Sequence, residues 1–213
     1  MRLAGLYAIT PDSADSEALL ARARAALEHT RLGGWAALQY RNKAAGAAQR
    51  AAEARALREL CSARGVPLII NDDLELALAI RADGLHLGRD DGGIAVARAR
   101  LGGRLLGASC YDRIDLARAA VDAGADYVAF GSVYPSATKP DAVRAPLELF
   151  GAARALGVPL VAIGGITLDN AAEVIRAGAD CIAVISDLFD APDIAARARA
   201  YASLFARQTS VFA

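Results

Sequence analysis

Gly124-Ala125-Asp126-Tyr127-Val128-Ala129-Phe130 has a near copy in Gly178-Ala179-Asp180-Cys181-Ile182-Ala183-Val184. In both stretches, a glycine follows a helical pattern and a short apolar run follows the aspartate. Glycine in this place is typical of a left-handed helix C-cap. An uninterrupted apolar run is typical of a strand that is buried on both faces. A third variant, Arg81-Ala82-Asp83-Gly84, precedes another such run. The repeat predicts helices that alternate with buried parallel strands.

The same alternation extends along the whole chain. Helical spacing in Ala- and Arg-rich segments predicts helices such as Ala47–Ala63, Arg113–Ala123 and Asp169–Ala177. The predicted strands are Gly5–Thr10, Ala36–Tyr40, Val66–Ile70, Gly84–Leu87, Leu105–Ser109, Tyr127–Phe130, Leu160–Ile163 and Cys181–Ile185.

Eight strand–helix units without a long linker predict an α/β fold, a single (β/α)₈ TIM barrel domain over residues 1–213. An open doubly wound sheet is the alternative. That fold needs fewer, longer units and usually carries a glycine fingerprint after its first strand. Here the first strand leads into Thr10-Pro11-Asp12 instead.

Composition excludes several classes of protein. The chain has 24 basic and 24 acidic residues, interspersed, so it offers no basic stripe for nucleic acid. No apolar run approaches the roughly 20 residues of a membrane span. The three cysteines are far apart and form no metal-type pair, which predicts reduced packing residues in a cytoplasmic protein. His86 is predicted to be a hydrogen-bonded wall residue rather than a catalyst.

In a barrel of this type, chemistry lies on the loops that follow the strands. Polar residues and glycines collect at these strand exits. They are Gln39, Arg41, Asn42 and Lys43; Asn71, Asp72 and Asp73; Arg89, Asp90 and Asp91; Ser109; Ser136, Thr138 and Lys139; Gly164 and Gly165; and Ser186 and Asp187.

Lys43 and Lys139 are the only lysines among the 24 basic residues, and both follow strand-like runs. A compact ammonium suits a phosphate oxygen better than a planar guanidinium does when a point charge is needed. We therefore expect both lysines at an anion site, with two ordinary solvated residues as the alternative.

Gly164-Gly165 after the seventh strand lets backbone N–H groups approach an anion closely, and Ser186 adds a donor after the eighth. These two exits form the usual phosphate site of the barrel. A simple tight turn is the alternative explanation for the glycine pair.

Asp72 and Asp91 follow neighbouring strands beside the predicted lysine site. Magnesium is commonly held by one or two carboxylates together with phosphate oxygens and waters. The pair therefore predicts an Mg²⁺–diphosphate site. Asp73 and Asp90 are predicted to be a helix cap and a solvated charge.

Along nearly its whole length, the sequence resembles the thiamine-phosphate synthase family, which it shares with a thiazole tautomerase paralogue. The segments that carry the resemblance are Leu6–Thr10, Gln39–Lys43, Asn71-Asp72, His86–Gly88 with Asp91, Gly107–Ser109, Ala125–Gly131, Tyr134–Lys139, Ala162–Ile166 and Val184–Ser186.

The resemblance implies a transferase that joins 4-amino-2-methyl-5-(diphosphomethyl)pyrimidine to a thiazole phosphate and releases diphosphate. Asp72 and Asp91 would bind Mg²⁺, and the expected catalytic residues are Lys43, Asn71, Ser109 and Lys139. Gln39, Lys43, Asn71, Ser109 and Lys139 would contact the pyrimidine diphosphate. Ser136, Thr138, Gly165, Ile185 and Ser186 would bind the thiazole phosphate. Tyr40, Arg41, Asn42 and Ala137 complete the expected substrate-binding set.

Two other functions stay open at this point. The tautomerase paralogue relies on a histidine beside the sixth strand, where this chain has Ser132. A non-catalytic barrel that binds thiamine precursors would be expected to have lost its metal carboxylates, and both are present. The partners expected are the two small-molecule substrates, with neither nucleic acid nor membrane, and a homo-oligomer is compatible with the chain.

Overall fold

The computed structural model describes residues 3–89, 91–135 and 143–206. Eight parallel strands pair in sequence order and close into a barrel, with β8 beside β1. The strands are β1 Gly5–Ile9, β2 Trp35–Tyr40, β3 Leu68–Asn71, β4 Gly84–Leu87, β5 Leu105–Tyr111, β6 Tyr127–Phe130, β7 Leu160–Ile163 and β8 Cys181–Val184. The predicted barrel is confirmed.

Helices alternate with these strands. They are α1 Ser16–Ala26, α2 Ala47–Arg64, α3 Leu74–Ala79, α4 Ile94–Leu101, α5 Ile114–Asp122, α6 Glu148–Ala153, α7 Leu168–Ala177, α8 Ser186–Phe189 and α9 Ile194–Ala206, with 3₁₀ turns at Thr30–Leu32 and Arg154–Leu156. Within the described ranges, no helix has both the length and the apolar character needed to pass through a bilayer.

The predicted and observed bounds differ most clearly at β3, which begins at Leu68 rather than Val66. The reason lies at the end of α2. Gly65 adopts the left-handed conformation at φ 67°, and Val66 N–H closes the helix by donating to Cys61 O. Val66 therefore belongs to the helix C-cap and reaches the strand only through Pro67.

The apolar residues form two layers because successive strand side chains point to opposite faces. On β1, Tyr7 and Ile9 lie in the barrel interior, whereas Leu6 and Ala8 pack against the helices. The three cysteines are buried free thiols, as predicted, and burial raises the pKa of Cys61 and Cys110 to about 12. They are neutral packing residues at physiological pH.

The repeated aspartates clamp neighbouring strands at the amino end of the barrel, opposite the strand exits. Each aspartate precedes a strand, and its carboxylate accepts the N–H of the first or second residue of the strand before it. The clamps join Asp83 to Leu68, Asp126 to Leu106 and Asp180 to Leu160, with O–N distances of 2.8, 2.8 and 3.0 Å.

An arginine before each receiving strand pairs with the clamp aspartate. These arginines are Arg58 with Asp83, Arg98 with Asp126 and Arg154 with Asp180. The near copies in the sequence therefore repeat one arrangement, in which an Asp–Arg pair joins two neighbouring strands. If the arrangement recurred at every second strand, it would occur before β2, β4, β6 and β8. The structure has it before β4, β6 and β8.

At the fourth place, before β2, the chain has Gly34 at φ 77°. A Cβ on Gly34 would lie 2.2 Å from the carbonyl oxygen of Ala202 in α9. No side chain fits there, because the last helix packs directly on this backbone. Leu6 N–H instead donates to Gly34 O.

Asp180→Ala is expected to lower the free energy of unfolding by about 2 kcal/mol, because Leu160 N–H loses its side-chain acceptor at a half-buried position. Urea unfolding of the variant and the parent measures the difference. Glu28→Ala, which removes an exposed carboxylate, is the control and should change stability by less than about 0.5 kcal/mol. Equal losses in both variants would contradict the clamp.

Candidate active site

A cleft of about 400 Å³ opens where β2 and β3 end. Its walls come from the β2–α2 loop on one side and the β3–α3 loop on the other. The predicted site residues that line it are Tyr40, Arg41, Asn42, Lys43, Asn71 and Asp72. The structure therefore brings the predicted exits of these two strands into one concave surface.

Three charged side chains meet at the edge of this cleft. Lys43 Nζ lies 3.2 Å from Asp72 Oδ2, and the carboxyl group of Asp91 lies close enough to that of Asp72 to raise its pKa. Burial raises the pKa of Asp72, and the neighbouring Asp91 raises it further, against the opposing effect of Lys43. Two acidic groups are thus held together at a cost that a cation between them would relieve.

Local backbone geometry holds both carboxylates in place. Asp72 adopts φ 64°, in the left-handed region, and its N–H donates to His86 O at 2.9 Å. Gly88 N–H donates to Asp91 Oδ2 at 2.9 Å. A Cβ on Gly88 would lie only 2.6 Å from that oxygen, so glycine leaves room for the Asp91 side chain.

The donor set of this site fits Mg²⁺ bound in part by substrate. In the described part of the chain, no group of three or more His, Cys, Asp or Glu side chains could hold a metal by itself. Two carboxylates are nevertheless the usual protein share when phosphate oxygens and waters complete the octahedron. Asp72 and Asp91 therefore suit a metal–diphosphate complex better than a site built from protein ligands alone.

Asp73, next to this pair, is a helix cap. Its Oδ1 accepts from Leu76 N–H at 2.9 Å at the start of α3. The predicted capping role is confirmed. Asp90 lies outside the described residues.

Asp12, after β1, was not among the predicted site residues, although it binds two residues of the segment that follows β2. Its Oδ2 accepts from Arg41 Nη1 at 2.9 Å and its Oδ1 from Lys43 N–H at 2.6 Å. Burial alone would raise the pKa of Asp12, but these hydrogen bonds and the two positive charges hold it below its usual value. The guanidinium of Arg41 is thereby directed toward Asp12.

Glu53 lies beneath the same loop as a buried carboxylate with four neutral donors and was also missed from the sequence. Oε1 accepts from Ser16 Oγ and Gln49 Nε2 at 2.6 and 2.9 Å, and Oε2 accepts from Tyr40 Oη and Asn42 Nδ2 at 2.6 and 3.0 Å. Burial alone would raise the pKa of Glu53, but the four hydrogen bonds outweigh it and lower the pKa. A glutamate within an Ala-rich helical pattern carries no sequence signal for this role.

A second polar group crosses the barrel interior beneath the strand exits. Gln39 Nε2 lies 3.1 Å from Tyr7 Oη, which lies 2.8 Å from Tyr127 Oη. Tyr127 Oη is 3.2 Å from His86 Nδ1, and His86 Nε2 is 2.9 Å from Ser109 Oγ. The prediction that His86 is a hydrogen-bonded wall residue is confirmed. Burial lowers the pKa of His86 to about 4.

The exits of β7 and β8 form another part of the same end of the barrel. Gly164 and Gly165 adopt φ 104° and 61°. A Cβ on Gly165 would lie 2.3 Å from Pro135 O, so the glycine pair also lets the β6 exit segment pack closely. Ile185 precedes α8, whose first residue is Ser186.

Four predicted residues after β6, Ser136, Ala137, Thr138 and Lys139, lie outside the described residues. The described part of this exit ends at Pro135. Ser132, just before it, has Oγ donating to Tyr134 O at 2.7 Å.

Arg89, after β4, stacks on an aromatic ring at the neighbouring exit. Its guanidinium carbon lies 4.6 Å from the centroid of Tyr111, which itself adopts φ 56° at the end of β5. This cation–π contact gives the guanidinium a fixed position beside the mouth of the barrel, the end at which the strands exit.

Comparison with known proteins places this geometry in one family. A family model described as thiamine monophosphate synthase matches residues 6–188. The chain is 60% identical over 206 residues to the thiamine-phosphate synthase of Aromatoleum aromaticum, covering 96% of this chain and 97% of that protein. It is 59% identical over 205 residues to the thiamine-phosphate synthase of Chromobacterium violaceum, with the same coverage. Among solved structures, a thiamine phosphate pyrophosphorylase from Pyrococcus furiosus matches with a TM-score of 0.82 at 32% identity, covering 98% of both chains.

Proposed function

The chain belongs to the thiamine monophosphate synthase family, and we propose how its residues carry out the reaction of that family. It is a transferase that condenses 4-amino-2-methyl-5-(diphosphomethyl)pyrimidine with a thiazole phosphate to give thiamine phosphate and diphosphate. The meeting of Lys43, Asp72 and Asp91 at neighbouring strand exits supports this assignment most directly. A diphosphate leaving group needs that combination of positive charge and metal ligands.

Asp72 and Asp91 would bind Mg²⁺ together with oxygens of the diphosphate. The ion, when bound, supplies positive charge for the negative charge that develops on the leaving group. The pKa of Asp72, raised by burial and by its neighbour, supports the proposal because a cation would remove the repulsion between the two acids.

Lys43, Asn71 and Ser109 would contact the diphosphate from the ends of β2, β3 and β5, and Lys139 would add a second ammonium. Gln39, inside the barrel mouth, would contact the pyrimidine. Tyr40 and Asn42, tied to Glu53, and Arg41, tied to Asp12, would hold the loop that carries Lys43. Preorganised charges of this kind stabilise the transition state without having to reorient during the reaction.

The thiazole phosphate would lie against the exits of β6 to β8. Gly165 and Ser186 would donate to its phosphate oxygens, and Ile185 would contact it, with Ser136, Ala137 and Thr138 completing the site. The positive φ of Gly165 and its close packing against Pro135 support a backbone shaped for close approach.

The proposed chemistry needs neither a strong base nor a covalent nucleophile. The C–O bond to diphosphate breaks, and its electron pair leaves with the diphosphate. The electron-rich aminopyrimidine carries the resulting benzylic-type cation, and the lone pair of the thiazole nitrogen then forms the new C–N bond. Orientation of two bound substrates supplies much of the remaining acceleration. The low pKa of His86, which keeps its imidazole neutral, accords with this scheme.

The decisive experiment incubates the protein with both substrates and Mg²⁺ and follows products by mass spectrometry. We expect thiamine phosphate and diphosphate in equal amounts. Isomerisation of the thiazole without condensation would indicate the tautomerase activity instead, and binding of both substrates without product would indicate a binding barrel. A cytoplasmic location and a homo-oligomer stay predictions from the sequence.

Lys43→Ala is expected to raise the KM for the pyrimidine diphosphate about tenfold, because the ammonium faces the proposed leaving group and one charge-assisted hydrogen bond is worth about 1.5 kcal/mol or more. Steady-state kinetics with saturating thiazole phosphate measure the change. Arg55→Ala, on the exposed surface of α2, is the control and should leave the KM unchanged. An unchanged KM in Lys43→Ala would remove this lysine from the diphosphate site.

A further inference from the structure

Five polar side chains form one continuous hydrogen-bonded chain across the barrel interior. In order, they are Gln39, Tyr7, Tyr127, His86 and Ser109, with successive heavy-atom distances of 3.1, 2.8, 3.2 and 2.9 Å. Tyr7 and Tyr127 are almost fully buried, whereas Ser109 is half-buried toward the mouth. The proton of each buried hydroxyl therefore needs an acceptor among these five side chains.

The identity of the first atom, Gln39 Nε2, sets which partner donates in each of the following hydrogen bonds. Gln39 Nε2 is an amide nitrogen and can only donate, so Tyr7 Oη accepts from it. The Tyr7 proton then goes to Tyr127 Oη, and the Tyr127 proton goes to His86 Nδ1. His86 consequently carries its own proton on Nε2 and donates it to Ser109 Oγ. The Ser109 proton remains available for an acceptor in the mouth.

The other proton arrangements leave a buried hydroxyl unpaired. If His86 carried its proton on Nδ1, Tyr127 would accept from it and donate to Tyr7, which would then accept twice and have no acceptor for its own proton. If both ring nitrogens carried protons, Tyr7 and Tyr127 would have two protons for the one bond between them. A buried donor without a partner costs about 1–3 kcal/mol, so the first order is favoured.

We propose that Tyr7, Tyr127 and His86 are positioning residues that orient the hydroxyl proton of Ser109 toward an acceptor atom of the bound pyrimidine diphosphate. This inference rests on the proposed function, because it takes Ser109 as a substrate contact. None of the three positioning residues needs to touch the substrate. They act by fixing which hydrogen-bonding role Ser109 plays before the substrate arrives.

The backbone of β5 is adapted to this arrangement. A Cβ on Gly107 would lie 2.1 Å from Cζ and 2.4 Å from Oη of Tyr127. Glycine at this strand position therefore makes room for the Tyr127 ring and sets the place of its hydroxyl. The His86 and Tyr127 rings also stack, with centroids 5.6 Å apart and planes 28° apart. The ring that donates to His86 is thus held by packing from two sides.

The first test determines the tautomer of His86 in the free protein. The chain has two histidines, so ¹⁵N-histidine labelling gives a simple long-range ¹⁵N–¹H spectrum, and His29→Gln assigns it. We expect His86 with the proton on Nε2. A proton on Nδ1, which would follow if Gln39 presented its amide oxygen to Tyr7, or protons on both nitrogens would overturn the proposal.

Two matched variants test whether Tyr127 sets this tautomer. Tyr127→Phe removes the donor to Nδ1, so Nδ1 is unpaired in either tautomer, and the Nδ1–H form is expected to become detectable beside the Nε2–H form. Tyr7→Phe removes the other hydroxyl of the pair, yet Tyr127 can still donate to His86, so the Nε2–H tautomer should persist. Retention of a single tautomer in Tyr127→Phe would overturn the positioning role.

A double-variant comparison tests whether Tyr127 acts through Ser109. Tyr127→Phe is expected to lower kcat/KM about tenfold, the value of one well-directed hydrogen bond. In the Ser109→Ala background, the same substitution should cause no further loss, because the hydroxyl that it orients is absent. A further tenfold loss in the double variant would mean a merely structural role and would overturn the proposal. Failure to make thiamine phosphate at all would refute the proposed function, whereas the tautomer would still report on the hydrogen-bond order.

Discussion

Asp72→Asn is expected to lower kcat about a thousandfold at saturating substrates, the upper end of the effect of removing one preorganised electrostatic contact. The substitution removes one of the two carboxylates proposed to bind Mg²⁺ and leaves the shape of the side chain almost unchanged. Asparagine is chosen because Asp72 adopts φ 64°, a conformation that Asn tolerates far better than Ala. The loss can then be attributed to the carboxylate rather than to backbone strain.

The stability of the same variant provides an independent readout. Because burial and Asp91 raise the pKa of Asp72, removal of its charge relieves repulsion in the metal-free protein. The ion pair with Lys43 adds little, since the Lys43 side chain is 60% exposed. We therefore expect Asp72→Asn to melt no lower than the parent without Mg²⁺, but to lose the increase in Tm that Mg²⁺ and diphosphate together give the parent.

Asp73→Asn is the matched control because it changes the adjacent residue in the same way. Asp73 caps α3, and asparagine is as good an N-cap as aspartate. Its turnover should stay within about twofold of the parent. Equal turnover in Asp72→Asn and Asp73→Asn would remove Asp72 from the metal site.

Glu53→Ala is expected to lower the free energy of unfolding by about 3 kcal/mol or more. The substitution leaves donors from Ser16, Tyr40, Asn42 and Gln49 without their common acceptor, and each buried unpaired donor costs about 1–3 kcal/mol, reduced where water can enter. Denaturant unfolding measures the loss. Glu59→Ala, an exposed glutamate on the same helix, should change stability by less than about 0.5 kcal/mol.

The contribution of Glu53 also depends on pH. Hydrogen bonding lowers the pKa of Glu53 below its usual value of 4.5, so the folded protein keeps this carboxylate ionised at pH values where the unfolded chain protonates it. Its stabilising effect is therefore complete above about pH 4.5 and is lost as the pH falls through the folded-state pKa. In Glu53→Gln, this part of the fall in the free energy of unfolding at acid pH should disappear. The same fall below pH 4.5 in the variant and the parent would contradict the assignment.

Loss of the Glu53 anchor should also affect the site. Tyr40 and Asn42 flank Arg41, and Lys43 follows directly, so a looser loop would move the ammonium away from Asp72. We expect Glu53→Gln to raise the KM for the pyrimidine diphosphate even under conditions where the variant is fully folded. The exposed control Glu59→Ala should leave that KM unchanged.

Much of the fold could be predicted because its signals are local. A glycine that ends a helix and an apolar run that follows it depend on residues that are neighbours in the chain, as at Gly178 and Cys181. The boundary at Val66 could not be predicted in this way. Its apolar side chain suits a strand, but its N–H is needed to close α2.

The site was predicted less completely, for a related reason. Strand exits can be identified from the sequence, and they indicated Lys43, Asp72 and Asp91. Asp12 also follows a strand, but nothing beside it in the sequence shows that it binds Arg41, 29 residues away. Glu53 lies within a helix, and no pattern around it shows that it accepts hydrogen bonds from Tyr40 and from Ser16, 13 and 37 residues away.

The sequence alone determined the order of strands and helices, the end of the barrel at which polar residues gather, and the family to which they belong. Those properties depend on the period of apolar residues and on short motifs, and both are visible in the sequence without knowledge of the fold. Only the tertiary structure decided that Asp91 lies close enough to raise the pKa of Asp72 and that Gln39, Tyr7, Tyr127, His86 and Ser109 form one directed series of hydrogen bonds. Hydrogen-bond direction depends on which atoms face each other across strands far apart in sequence, and no spacing rule encodes that.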